Sequence, residues 1–321
     1  MKRIAITGAN GFIGKPLADF LERNGYSVTR IIRKTDSVPA NNNKKTIAIG
    51  DLTKVSDWAP ILEGIDTLIH LAAKVHVKQD RHHNPLSAFR RVNTDVTVNL
   101  AHHASKAGIK RFIYLSSIKV NGEFTMPGHP FSEDNTPAPQ DAYAISKFEA
   151  ENGLRELATL GTMEVVIILP PLVYGPKVKG NFLRMMEWLN KGRPLPLGAI
   201  HNKRSLLGLD NLLDFIKICT EHPHAANETF VVSDGVDLST TELLEQIGDS
   251  LGKPARLFAV PRGLLKIGFR LMGKGSLIPR LLGSLQINMG KAKMLLGWKP
   301  PYDINEGLKK TAKDFLQSKE D

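Results

Sequence analysis

Tyr143 and Lys147 stand four residues apart in AYAISK, a stretch with helical character. At that spacing both side chains lie on one helical face, a turn apart. A phenol, with an ordinary pKa of about 10, needs a nearby positive charge before it ionises in the working range of an enzyme. A lysine ammonium and a nicotinamide ring would each supply one, so the pair suits proton transfer at a substrate oxygen. Ser117, ending RFIYLSS, can hydrogen-bond the same oxygen, with Ser116 as second choice.

Taken alone, a YxxxK pair is commonest on a solvent-facing helix, and a strand-end serine is commonest as a helix cap. A phosphate-binding turn earlier in the chain reverses that reading. RIAIT runs into GANGFIG and then a helical pattern, which puts Gly8, Gly11 and Gly14 at a strand-to-helix turn. Glycines there let the backbone approach a pyrophosphate resting on the helix N-terminus. Asn10, Phe12 and Ile13 complete the expected contacts of that turn.

The second strand ends in SVTRIIRK, where an acidic residue would hold an NAD ribose. Arg33, with Lys34 beside it, offers a cation for a 2′-phosphate instead, so NADP(H) is favoured over NAD(H). Asp51 and Leu52 follow the third strand and suit the adenine edge. Leu71, Ala72 and Ala73 follow the fourth, where small residues let a pyrophosphate pass, and Pro170 closes the expected cofactor set.

These residues need a sheet edge to converge on. Short apolar runs (RIAIT, SVTRII, TIAIG, TLIHLAA, RFIYLSS, VVIILP) alternate with helical patterns at 13–24, 55–62, 89–107 and 142–160. That alternation predicts βαβ units, hence a doubly wound parallel α/β sheet of the Rossmann type. After Pro170 the rhythm breaks at PPLVYGP, GRPLPLG and KPARLFAVP. Residues 1–170 are thus expected to form the dinucleotide-binding domain. Residues 171–321 should form mainly a smaller substrate-binding lobe, with some segments returning to the sheet.

Composition fits an ordinary globular enzyme: 321 residues, 42% hydrophobic and 23% charged. Forty-three basic residues against 32 acidic attract polyanions. They read as scattered and carry no nucleic-acid-binding motif, which leaves phosphorylated metabolites as the expected ligands. The single cysteine, Cys219, lies in an apolar run and is expected to be buried. Met1 leads directly into a strand pattern, with no signal-like apolar region, and a cytoplasmic location is expected. Ten histidines, including the pairs at 82–83 and 102–103, show no ligand spacing, so no metal is expected. NNNKK at 41–45 reads as a solvated loop.

With these motifs in place, the chain resembles the extended short-chain dehydrogenase/reductases, in the NAD-dependent epimerase/dehydratase branch that includes UDP-glucose 4-epimerase. The resemblance runs through TGANGFIG, HLAA, the Asn93 helix, SSIKVNG, YAISK, VYGP, GNF, RPLPLG and LGWKPP, almost the whole chain. It implies a UDP-sugar substrate, a homodimer packed through the helices at 89–107 and 142–160, and nucleotide-sugar contacts from Asn181 and Arg204. Lys74, His76, Lys119 and Asn121 stand nearest the expected sugar. The chain departs from the epimerase pattern at Asn121, where a Tyr is usual, at Leu169, where an Arg is common, and at Arg33. SSIKVNGE is similar to bacterial 4-ketoreductases that make 6-deoxy-N-acetylhexosamine nucleotides for surface polysaccharide.

Three activities follow. A 4-ketoreductase would use Tyr143 to protonate a C4 oxygen, Ser117 to hold it, Lys147 to orient the ribose, and an exchanging NAD(P)H. A 4-epimerase would use the same groups with a retained cofactor. A non-catalytic dinucleotide sensor would have no need for the Tyr, Lys and Ser that this chain keeps. Separately, Arg262, Lys266 and Arg270 recur every four residues among apolar positions. The segment 260–285 thus suits either burial in the second lobe or contact with an anionic membrane surface.

Overall fold

A computed structural model describes residues 1–33, 45–75 and 84–320. Lys34, His76, the histidine pair at 82–83 and most of NNNKK fall outside those residues. Ten strands are described: β1 Arg3–Thr7, β2 Ser27–Ile32, β3 Thr46–Ala48, β4 Thr67–His70, β5 Arg111–Leu115, β6 Glu164–Leu169, β7 Leu172–Tyr174, β8 Arg204–Gly208, β9 Thr229–Val231 and β10 Asp237–Leu238. The helices are α1 Gly14–Arg23, α2 Ala59–Leu62, α3 Pro85–Phe89, α4 Val96–Lys106, α5 Ala142–Thr159, α6 Gly180–Asn190, α7 Leu209–Glu221, α8 Thr240–Ser250, α9 Arg262–Leu271, α10 Ile278–Leu282, α11 Gly290–Leu296 and α12 Ile304–Glu320.

Among the described residues, seven strands form one parallel sheet in the order β3-β2-β1-β4-β5-β6-β9. This is the doubly wound α/β fold expected from the alternation. The order reverses between β1 and β4, and ligands bind such sheets at the carboxyl ends of the strands flanking that point. β9 comes from beyond residue 170 yet pairs with β6.

Strand side chains alternate between two cores, as a period of two requires. Ile4, Ile6, Ile113, Val166 and Ile168 face one core, under α1 and α7. Ala5, Phe112, Tyr114, Val165 and Ile167 face the other, under α2, α4 and α5. Burying each large apolar side chain contributes roughly 1.5–3 kcal/mol. Cys219 is fully buried in the first core, as anticipated, and burial pushes its thiol pKa up. A third core gathers Tyr174, Phe182, Leu206, Leu244, Leu308 and Phe315. Around it β7, β8 and β10 form a second sheet of three strands.

Two expected helices differ. Over 55–62 only α2 forms: Pro60 sits in its first turn and Asp57 accepts from the Ala59 amide at 2.9 Å, which starts the helix at Ala59, while Leu52–Lys54 run as a short 3-10 turn. Over 89–107 the helix contains a π segment at Arg90–Asp95. π segments concentrate at functional sites, and this one carries Asn93.

Candidate active site

The phosphate turn follows from β1 ending beside β4. Gly8 has φ +70°, a left-handed backbone that favours glycine. A Cβ on it would also meet the Ala72 backbone nitrogen at 3.0 Å. A Cβ on Gly14 would lie 2.1 Å from the Gly8 carbonyl oxygen. Helix α1 starts at Gly14 with Ile13 at its cap and no side chain capping it. The turn of Gly8, Asn10, Gly11, Phe12, Ile13 and Gly14 therefore packs directly under Leu71, Ala72 and Ala73. The Ala72 amide donates to Thr7 Oγ1 at 3.3 Å, and that hydroxyl is also 2.7 Å from His70 Nδ1. Burial depresses His70 to about 3, which keeps the imidazole neutral between Thr7 and Thr97. A close-approach turn leading into an uncapped helix fits a dinucleotide pyrophosphate.

Arg33 is exposed just beyond β2, two residues after Ile31, which pairs with Thr7. It thus stands at the carboxyl edge next to the phosphate turn. Asp51 caps the 3-10 turn rather than ending a strand, and its carboxylate accepts from the Thr53 amide at 3.0 Å. That bond, and a second from the Thr53 hydroxyl at 2.9 Å, hold its pKa down. Leu52 begins that turn, and Pro170 lies between β6 and β7 with its carbonyl accepting from Ile118 at 3.0 Å.

The chemical groups converge from β5 and α5. Asp141 accepts from the Ala144 amide at 2.7 Å and so fixes the start of α5, two residues before Tyr143. Ser117 follows β5, where its hydroxyl caps a 3-10 turn by accepting from the Lys119 amide at 3.3 Å, and it sits close enough to Tyr143 to draw that phenol's pKa down. The capping and site readings of Ser117 therefore hold together. Ser116 points the other way, and its hydroxyl donates to buried Glu151. The neighbouring serines are thereby told apart.

Tyr143 is not lowered within the chain. Burial and the Asp141 charge raise it to about 12, and only the neighbouring Ser117 hydroxyl pulls it down. Lys147 is fully buried and burial depresses it to about 7. Its Nζ donates to the Leu115 carbonyl at 2.8 Å and lies 4.5 Å from the Tyr114 ring centre. The lysine does not by itself bring the phenol toward working pH: two buried groups resist charge together, which leaves the need for the second positive charge expected from a nicotinamide.

Asn93, buried on the π segment, locks the wall of the site. Its Oδ1 accepts from the Lys74 amide at 2.8 Å. Its Nδ2 donates to the Lys74 carbonyl and to Ser146 Oγ, each at 3.0 Å. The extra residue of the π segment thus ties the chain after β4 to α5.

The residues expected at the sugar are dispersed. Lys119 is ion-paired with Asp141 and lies 3.5 Å from Glu123, so its charge is engaged in holding the start of α5. Asn121 is buried and donates to the Ser132 carbonyl at 2.9 Å. Asn181 is exposed in the first turn of α6. Arg204 begins β8, and Nη1 donates to the Pro279 and Gly283 carbonyls at 3.3 and 3.0 Å. Burial lowers its pKa, and so does the charge of Arg280 on α10. Arg280 also acts on Asp141. Two guanidiniums from segments far apart in sequence therefore lie near each other. Sequence reading missed Arg280, because only the packing of α10 against β8 pairs it with Arg204. Among the described residues, no three His, Cys, Asp or Glu side chains cluster to hold a metal ion, and no helix is long and apolar enough to cross a membrane.

A Rossmann sheet with a glycine phosphate turn and a Ser, Tyr and Lys group at its carboxyl edge defines a dinucleotide-dependent enzyme. A profile described as "NAD dependent epimerase/dehydratase family" matches residues 4–233, and the chain belongs to that family. It is 44% identical to the UDP-glucose 4-epimerase of Vibrio cholerae over 99% of this chain and 96% of that one. It is 27% identical to the N-acetyl-alpha-D-glucosaminyl-diphospho-ditrans,octacis-undecaprenol 4-epimerase of Escherichia coli O157:H7, over 99% and 97%. Among solved structures it is similar to the UDP-glucuronic acid 4-epimerase of Bacillus cereus in complex with NAD. There the TM-score is 0.78, the identity 20%, and the coverage 98% and 99%.

Proposed function

We propose that this enzyme acts at C4 of a UDP-sugar, interconverting the two C4 epimers of a UDP-hexose. The observation that carries the C4 chemistry is the convergence of Ser117, Tyr143 and Lys147 beside the glycine turn. The 44% identity to a UDP-glucose 4-epimerase over nearly the full length supports the epimerase form. Gly8 to Gly14, Leu71 to Ala73 and Pro170 would hold the dinucleotide, with Asp51 and Leu52 toward its adenine. When bound there, the nicotinamide accepts and returns the C4 hydride and supplies a positive charge.

Tyr143 takes the C4 hydroxyl proton as the ketone forms and returns it when the alcohol is restored, so protons balance over the cycle. Ser117 holds the oxygen throughout, and Lys147 orients the ribose and lowers the Tyr143 pKa in the assembled site. Arg204 and Arg280 would bind the diphosphate, each guanidinium suited to phosphate oxygens. Asn181, Lys74 and Lys119, though dispersed, would add separate substrate contacts. Residues 171–321 serve mainly as the substrate lobe. The enzyme works in the cytoplasm as a homodimer packed through α4 and α5.

A second reading, a 4-ketoreductase for a 4-keto-6-deoxy-N-acetylhexosamine nucleotide, is favoured by Arg33, whose place at the edge of β2 suits NADP(H). The deciding experiment is release and quantification of the dinucleotide carried by the purified protein. Near-stoichiometric NAD, with conversion of UDP-glucose to UDP-galactose, supports the epimerase. A protein purified without cofactor that binds NADPH and reduces 4-keto sugar nucleotides establishes the reductase.

A further inference from the structure

The net charge is not spread evenly. Residues 250–302 hold ten Lys and Arg and no Asp or Glu, while the rest of the chain holds 33 basic and 32 acidic residues. The basic residues form no dense block, which is why they read as scattered. The absence of acids is what segregates the charge.

Within that stretch, α9 presents an apolar row to solvent. Leu264, Ile267 and Leu271 are 60%, 55% and 84% exposed, and Met272 beyond them is 58% exposed. At 100° per residue the three helical positions fall within a sector of about 60°. Leu265 and Phe269 occupy a different sector and pack into the third core. The expected burial of the apolar face is therefore only half met: α9 has two apolar faces and buries one. Arg270 and Lys266 are exposed about 60° and about 100° from the nearer edge of the row, with Lys274 just past its end, while Arg262 is exposed on the far side of the helix. Arg262 also donates to the Leu282 carbonyl at 2.6 Å, which ties α9 to α10.

A solvent-facing row of Leu and Ile beside a cationic stripe is the physical profile of an interfacial helix. We propose that α9 docks this protein on an anionic lipid bilayer, Leu264, Ile267 and Leu271 entering the acyl boundary while Lys266, Arg270 and Lys274 meet lipid phosphates. Charge complementarity selects this occupant. A second copy of the chain would bring the same acid-free segment to the contact, and a nucleic acid would leave the apolar row without a partner. The proposal is independent of the sugar and of the reaction assigned to the cleft.

The test is co-sedimentation of the full-length protein with vesicles of phosphatidylcholine containing phosphatidylglycerol, against vesicles of phosphatidylcholine alone. The protein should pellet with the anionic vesicles only. Lys266→Glu with Arg270→Glu should weaken partitioning by at least roughly tenfold, given about fivefold per cation. Ile267→Ser with Leu271→Ser, which keeps the charge, should weaken it about 100-fold or more. Leu264→Trp, at an exposed position, should show a blue-shifted emission with anionic vesicles. No pelleting overturns the proposal. So does pelleting that the serine pair leaves unchanged, which marks plain cation attraction of the kind DNA would share. Loss of a dimer on the serine substitutions, without lipid binding by the parent protein, assigns the face to self-association instead.

Discussion

Glu151 lies one helical turn beyond Lys147 on α5, and the two buried groups oppose each other's desolvation. Burial lowers Lys147 to about 7 and the Glu151 charge raises it; burial raises Glu151 and the Lys147 charge lowers it. Ser116 and Arg155 hold the carboxylate in place, Arg155 at 2.8 Å. Glu151→Gln keeps an acceptor for Ser116 and removes the charge, so the Lys147 pKa should fall further. If turnover needs the ammonium, the alkaline limb of the kcat/KM profile moves to lower pH. An unmoved limb would show that Glu151 does not tune Lys147.

Lys147 itself should cost stability. Its folded pKa, about 7, lies below its ordinary value of 10.5, so the unfolded chain binds more protons between those values. The penalty is full below pH 7 and is relieved as pH rises toward 10.5. Lys147→Met should therefore abolish turnover while gaining stability over the parent, most at or below pH 7 and progressively less above it. Denaturant unfolding at a series of pH values measures the difference.

Tyr143→Phe keeps the ring, which packs edge-on against Phe89 at 6.2 Å between centroids, and removes the hydroxyl. Turnover should drop by roughly 10²–10⁴, the usual worth of a positioned acid/base group. Dinucleotide binding, followed by fluorescence or calorimetry, should stay intact. Unchanged turnover would remove the proton-transfer role.

Gly14→Ala places a methyl 2.1 Å from the Gly8 carbonyl oxygen, a backbone atom that cannot swing aside. The variant should lose about 1–3 kcal/mol of stability and most of its dinucleotide affinity together. Thermal melts with and without added cofactor report both.

Arg33→Ala tests the cofactor reading without touching the fold, since the side chain is exposed and stability should stay within about 0.5 kcal/mol. If Arg33 meets a 2′-phosphate, NADPH affinity falls roughly 10- to 100-fold, the worth of a charge-assisted hydrogen bond, while NADH affinity holds. Equal effects on both would leave no NADP preference to explain.

Much of the site was legible because its signals are local. The period-two runs specified strands whose alternate faces fill two cores, as Ile4 and Ala5 show. Gly8, Gly11 and Gly14 specified the turn through backbone freedom alone, and the four-residue spacing of Tyr143 and Lys147 put both on one side of α5. The helix over 55–62 is shorter than its periodicity suggests because Pro60 and the Asp57 carboxylate start it only at Ala59.

By itself the sequence determined the parallel sheet, the phosphate turn and the Tyr–Lys pair, since each rests on spacing within a few residues. Tertiary structure alone decided which serine meets Tyr143, because Glu151 claims Ser116 from 35 residues away. It decided likewise that Asn121 is buried, that Arg280 joins Arg204 across the packing of α10 on β8, and that burial leaves Tyr143 near 12 and Lys147 near 7. The physical reason is that desolvation and charge pairing depend on neighbours brought together by folding, and spacing along the chain carries no record of them.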